Sequence, residues 1–88
     1  MKVIIAIGYA DDRPCLFEGQ YLVSFDFDHD DGRGRGEFTK DPARAKKFAD
    51  AGEAMKFWRT ASTVHPIRRS DGKPNRPFTS ISVEIRDA

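Results

Sequence analysis

The chain has a single cysteine, Cys15, among its 88 residues. A disulfide within the chain needs two cysteines and a cysteine-based zinc site needs several, so both are excluded. Neither a histidine nor a cluster of bases adjoins Cys15 in the sequence to stabilise a thiolate, so we expect a passive, partly buried residue. Such a chain suits a reducing compartment, and we predict a cytoplasmic protein.

Long apolar runs are also missing. The run VIIAI at residues 3–7 is about half the length of a signal-peptide core, and no stretch approaches the roughly 18 residues that span a membrane. We therefore expect neither export nor membrane association.

Leucine is scarce, with only two residues, and the net charge is only +1. Leucine, isoleucine, valine and phenylalanine still make up 19 of the 88 residues. That share lies just above the roughly 20% below which a highly charged chain is disordered. We predict one folded domain, residues 1–88, whose core depends on isoleucine and on the seven phenylalanines.

Strand-like patterns recur along the chain. The predicted strands cover residues 2–7, 21–28, 35–39 and 78–85. Residues 63–69 contain Pro66, which restricts them to an edge strand or an extended segment.

Two details of packing follow from the pattern around the second strand. Residues 21–28, YLVSFDFD, alternate strictly, so the odd-numbered residues are expected on the core face and Leu22 on the solvent face. In the loop 9–20 that precedes this strand, Leu16 and Phe17 are expected to pack onto the core.

Two helix-start signals lie between residues 41 and 62. Asp41 precedes Pro42 at a first helical position, and Asp50 is spaced from Glu53 as in a capping box. Apolar side chains before and after Gly52 fall on different faces of one helical wheel, so we predict two helices, residues 42–49 and 51–62. Trp58 lies at the centre of the apolar arc of the second helix.

These elements predict an α+β fold. We expect an antiparallel or mixed sheet of about four to five strands, with two consecutive helices packed on one face.

Residues 26–37, DFDHDDGRGRGE, partly match a calcium-binding loop. The matching carboxylates are Asp26, Asp28, Asp30 and Glu37. However, the glycine comes one residue late, and Arg33 and Arg35 bring positive charge into the loop. We predict a solvated hairpin turn and no bound metal. Neither histidine has a recognised ligand spacing, and the three alternating glycines lack phosphate-loop spacing, so we also predict no cofactor.

Positive charge is concentrated late in the chain, where residues 56–88 carry a net charge of +4. A set of residues there could contact phosphates or an acidic partner. The set comprises Arg59, Arg68, Arg69, Lys73, Asn75 and Arg76. The near-neutral total charge and the lack of aromatic residues among these arginines count against nucleic acid.

No nucleophile with a nearby base is visible, so we predict no enzymatic activity. The preferred hypothesis is a small binding module that contacts a protein partner through residues 64–77 or an exposed sheet edge. The alternative is a nucleic-acid-binding accessory protein that uses residues 59–76. The sequence leaves the oligomeric state open.

A set of short segments spread over residues 19–85 carries a resemblance. They are Tyr21-Leu22, Ser24-Phe25-Asp26, Asp31-Gly32-Arg33-Gly34, Phe38-Thr39, Asp41-Pro42, Phe48-Ala49-Asp50-Ala51-Gly52-Glu53-Ala54, Phe57-Trp58-Arg59 and Asp71-Gly72-Lys73-Pro74-Asn75-Arg76-Pro77. Over these residues the chain resembles a group of short bacterial proteins of unknown function, some of them prophage-associated. The resemblance implies a small folded domain and brings no catalytic residue or cofactor with it.

Overall fold

Four strands form one antiparallel sheet in the computed structural model, which describes residues 1–11 and 13–88. The elements, in chain order, are β1 (Lys2–Tyr9), β2 (Tyr21–Asp26), α1 (His29–Gly32), β3 (Arg35–Thr39), a 3-10 turn (Pro42–Arg44), α2 (Ala51–Trp58), a second 3-10 turn (Pro77–Ser80) and β4 (Ile81–Asp87). The strand order is β3-β2-β1-β4, so the predicted α+β class is confirmed with four strands. Asp12, part of the predicted loop 9–20, lies outside the described residues. Neither α-helix in the described part has the length and apolar character needed to cross a bilayer.

Strand β1 is the centre of the sheet. It pairs with β4 from Lys2 opposite Asp87 to Tyr9 opposite Ile81, whereas its register with β2 is confined to Ile5 opposite Tyr21. Residues 46–48 fill the widening gap between β1 and β2. The amide of Lys46 donates to the carbonyl of Leu22, and Phe48 exchanges two backbone hydrogen bonds with Lys2.

The predicted helix over residues 42–49 is wrong. Only a 3-10 turn forms, with the Asp41 carboxylate accepting from the amide of Ala43 at 2.9 Å. Ala45 then turns to an extended conformation, and the chain runs alongside β1. Because this path buries Phe48 and satisfies its backbone groups at the same time, tertiary pairing overrides the local helix signal.

The second helix forms where it was predicted to begin. The Asp50 side chain accepts from the amide of Glu53 at 2.8 Å, and the Glu53 carboxylate accepts from the amide of Ala49 at 3.0 Å. The helix ends at Trp58, four residues before the predicted end. The amides of Thr63 and Val64 bind a carboxylate from another part of the chain instead of continuing the helix.

A bulge in β2 makes the predicted orientation of Leu22 wrong. The register between β2 and β3 shifts between Leu22 and Ser24, so β2 contains one residue more than β3 at this point. Leu22 is fully buried, and Phe25 packs against the same cluster. Strict alternation would place these two residues on opposite faces.

The structure decides between the two alternatives for residues 63–69 and corrects the start of the last strand. Residues 63–69 contribute only an isolated bridge between Ile67 and Pro74, not a strand of the sheet. Phe78 lies in the 3-10 turn that precedes β4, so the last strand begins at Ile81.

All seven phenylalanines form one connected set of ring contacts, in which Phe48 and Phe78 belong to the buried core and the other five pack against it. The seven are Phe17, Phe25, Phe27, Phe38, Phe48, Phe57 and Phe78. Trp58, predicted at the centre of the apolar arc of the second helix, is only partly buried. Its indole N–H donates to the carbonyl of Ile81 at 3.0 Å. Cys15, expected to be partly buried, is buried, and Phe17 packs on the core as predicted. Leu16 does not, because 91% of its surface is exposed.

Candidate functional site

The acidic turn (residues 26–37) and the basic loop (residues 59–76) are bound to each other through Asp28. One carboxylate oxygen, Oδ1, accepts from the Ser62 hydroxyl at 2.9 Å and from the amides of Thr63 and Val64 at 2.7 and 3.3 Å. The other, Oδ2, accepts from the Thr63 hydroxyl at 2.5 Å. Asp28 therefore fixes the start of the basic loop to the hairpin turn between β2 and β3.

These hydrogen bonds favour the ionised carboxylate. The Thr63 hydroxyl, followed by the Thr63 amide and the Ser62 hydroxyl, lowers the pKa of Asp28 from its ordinary value of 3.8 to about 2. A group whose folded-state pKa is lowered contributes stability above its unfolded pKa and loses it as the pH falls through the folded pKa. The contact between turn and loop is therefore expected to weaken between about pH 4 and pH 2.

The Asp28→Asn variant tests this contact. We expect its melting temperature to be lower than that of the parent at neutral pH and to change less as the pH falls from about 4 to about 2. The matched control is Asp30→Asn, a change in the same turn at a carboxylate that makes no hydrogen bond to the basic loop among the described residues. Thermal melts followed by circular dichroism would measure both. Identical pH dependence in the parent and the Asp28→Asn variant would contradict the assignment.

Asn75 joins the same two segments from the far end of the basic loop. Its side-chain amide donates to the carbonyl oxygens of Gly32 at 2.8 Å and His65 at 2.9 Å. Its backbone amide donates to Pro66, and its carbonyl accepts from the amide of Ser62. Asn75, predicted as a binding residue, has its amide group engaged in holding the loop.

An open cleft of about 740 Å³ lies where the acidic turn, the basic loop and the turn before β4 meet. Four arginines from two distant parts of the sequence line it. They are Arg33, Arg68, Arg69 and Arg76. Of the predicted binding residues, the structure therefore brings Arg68, Arg69, Asn75 and Arg76 to one cleft. Arg59 lies in a neighbouring groove together with Arg76, and Lys73 lines neither.

Carboxylates pair with two of the four cleft arginines. Arg68 makes a two-point contact with Asp71, at 3.1 and 2.6 Å, and Arg33 lies 3.4 Å from Asp30. Within the described part of the chain, Arg69 and Arg76 have no carboxylate within 4.0 Å. Two guanidinium groups are thus available for a ligand.

Arg33 is the cleft residue that sequence reasoning missed. In the sequence it stands out only as a positive charge that opposes calcium binding, because it is 35 residues from Arg68. The signal that could have indicated its position is the Gly32-Arg33-Gly34 triplet. Gly32 is buried against the basic loop, and Gly34 approaches Pro77, so this part of the turn lies directly on the other side of the cleft.

The calcium candidates do not converge on one point. Asp26 accepts from the amide of Asp28, Asp30 is paired with Arg33, and Glu37 contacts Ser24 and Arg44. Across residues 1–11 and 13–88, no group of three or more histidine, cysteine, aspartate or glutamate side chains is placed to hold a metal ion. The acidic turn instead uses its carboxylates for contacts within the protein.

No protein-family model, curated protein or solved structure matches this chain. The resemblance to short bacterial proteins stays a prediction. The function of the cleft is therefore argued from its own geometry and charge.

Proposed function

We propose that the protein is a non-enzymatic interaction module that binds an acidic segment of a partner protein in the cleft. The observation that carries the proposal is the pair of guanidinium groups, Arg69 and Arg76, that line the cleft without a carboxylate partner among the described residues. Guanidinium groups bind carboxylates through two parallel hydrogen bonds, a geometry that suits aspartate and glutamate side chains.

The composition of the cleft favours a short acidic segment over nucleic acid. Asp30 and Asp31 line the same cleft as the arginines, so the positive surface is short and suits one or two carboxylates better than a continuous row of phosphates. The lining residues of the cleft in the described chain include no phenylalanine, tyrosine or tryptophan, and His65 is the one aromatic ring on which a base could stack. A volume of about 740 Å³ accommodates a few side chains of a peptide.

The basic loop is held in shape before any ligand arrives. Asp28 fixes its first residues, Asn75 fixes its last, and the amide of Arg68 donates to the carbonyl of Lys73 at 2.9 Å across its middle. A loop that is already ordered loses little conformational entropy on binding. This preorganisation supports a recognition role for a segment that has no regular strand or helix of its own.

A fluorescent peptide of about ten residues, rich in aspartate and glutamate, provides the test by fluorescence anisotropy at low salt. We expect the double variant Arg69→Ser/Arg76→Ser to bind it about 5- to 30-fold more weakly than the parent, since each exposed charge pair contributes up to roughly 1 kcal/mol. The control is Lys40→Ser/Lys73→Ser, which removes the same charge from residues outside the cleft and should bind nearly as well as the parent.

The same titration with a duplex oligonucleotide separates the alternative function. Tighter binding of the duplex than of the peptide, lost in the Arg69→Ser/Arg76→Ser variant and steeply dependent on salt, would assign the cleft to nucleic acid. Equal loss in the cleft variant and in the lysine control would show a general charge effect and contradict the proposal.

A further inference from the structure

Strand β4 forms the edge of the sheet opposite to the edge formed by β3. Strand β4 is the last in the order β3-β2-β1-β4, so only one of its edges is paired. Edge strands are commonly blocked by proline, by charged side chains or by a covering segment. The sequence of β4, ISVEIRD, contains no proline, and its charged side chains are Glu84, Arg86 and Asp87.

The pairing of β1 shows which backbone groups of β4 point outwards. In an antiparallel pair, residues bonded to the partner alternate with residues whose N–H and C=O point away. Lys2 and Ala6 bond to Phe48 and Gln20 on the far side of β1. Their partners in β4, Asp87 and Val83, therefore direct their backbone groups away from β1, as does Ile85 between them.

One outward group is already occupied. The indole N–H of Trp58 donates to the carbonyl of Ile81 at 3.0 Å, which closes the beginning of the edge. Among the described residues, no side chain makes a hydrogen bond to the outward-pointing backbone groups from Val83 to Asp87. The open part of the edge is thus a short stretch of five residues.

The charges along this stretch select one partner. When two copies of the strand pair antiparallel with Ile85 opposite Ile85 of the second copy, Glu84 lies opposite Arg86 of the second copy, and the reverse holds by symmetry. A shift that centres the pairing on Glu84 places the two glutamates opposite each other, and a shift that centres it on Arg86 does the same with the arginines. Like charges directly opposite are destabilising.

We propose that two copies of this chain associate through their β4 edges, with Ile85 on the two-fold axis and Glu84 paired with Arg86 of the second copy. The two sheets then join into one sheet of eight strands. Both charged side chains are exposed and already contact each other at 2.8 Å within one chain, so they are placed on the same face for this exchange. The paired stretch stops before Ile81, so the Trp58 contact is kept.

Sedimentation equilibrium of the full chain over a concentration series up to about 1 mM tests the proposal, since an interface of this small size associates weakly. We expect the parent to dimerise and the single variants Glu84→Arg and Arg86→Glu each to dissociate roughly tenfold more readily. The double variant Glu84→Arg/Arg86→Glu restores opposite charges at both pairs and should recover the parent dimer.

Mixing the two single variants gives the sharpest result. One chain is then positive at both positions and the other negative at both, so the mixture should form a heterodimer at concentrations where each variant alone is a monomer. Circular dichroism and thermal melts of each variant establish that it is folded. A parent that stays monomeric up to about 1 mM overturns the proposal. A dimer that is equally stable in both single variants, or a mixture that does not associate, overturns it as well.

Discussion

Replacing Phe78 by alanine is expected to lower the free energy of unfolding by about 3–5 kcal/mol. Phe78 is fully buried, and its ring stacks on that of Phe25 at 4.5 Å with an interplanar angle of 7°. Phe38 and Phe57 contact it edge-on at 6.3 Å. Since the ring lies where three branches of the phenylalanine set meet, its removal leaves a cavity that β2, β3 and α2 all line.

Urea denaturation followed by circular dichroism measures this loss. The control is Leu16→Ala, which removes an apolar side chain that is 91% exposed and should change the stability by no more than about 0.5 kcal/mol. A domain of this size has modest stability, so the alanine variant could be unfolded in buffer. Phe78→Leu, which leaves a smaller cavity, is then expected to fold with an intermediate loss. Equal denaturation midpoints for the parent and both Phe78 variants would contradict the position of Phe78 in the core.

The sequence predicted those elements whose signals are local. The Asp50 cap and the Glu53 side chain act within one turn, and α2 begins where they indicate. Strand β1 is a short run of β-branched residues, and the structure places a strand over it. Residues 42–49 carried an equally good local signal for a helix. However, the pairing of Phe48 with Lys2 and its burial in the core stabilise the fold more than one further turn of helix would.

The orientation of β2 could not be predicted from alternation. A single bulge between Leu22 and Ser24 reverses which residues face the core, and nothing in YLVSFDFD marks its position. The bulge also explains why both Leu22 and Phe25 reach the phenylalanine set. Strict alternation is a reliable guide only while the register is unbroken.

The candidate site was predictable only where its residues lie close together in the sequence. Arg68, Arg69 and Arg76 are near one another in the sequence, so their clustering follows from a short loop. Arg33 and Asp28 join them through contacts between residues some 34 positions apart, such as the hydrogen bond from the Ser62 hydroxyl to Asp28. Those contacts depend on how the hairpin turn packs against the loop, which no short-range pattern specifies.

A single substitution at Gly32 should disturb the packing of the hairpin turn against the basic loop. We expect Gly32→Ala to lower the free energy of unfolding by about 2–5 kcal/mol, as the sum of about 1–2 kcal/mol of backbone strain and about 1–3 kcal/mol of overpacking. Gly32 has φ +88°, a left-handed conformation that favours glycine. A Cβ there would lie 2.7 Å from the Cβ of His65 and 2.9 Å from both the Asn75 amide nitrogen and the Ser62 hydroxyl oxygen.

Gly19→Ala separates the two contributions. Gly19 has φ +80° with no atom within 4 Å of the added Cβ, so its variant carries the backbone strain without the collisions. Urea denaturation of the two variants should therefore differ by the overpacking contribution of about 1–3 kcal/mol. Because the colliding atoms belong to the residues that fix the basic loop, the Gly32→Ala variant should also bind the acidic peptide more weakly, whereas Gly19→Ala should bind it like the parent. Equal losses of stability in the two variants would show that the acidic turn and the basic loop do not pack closely at Gly32.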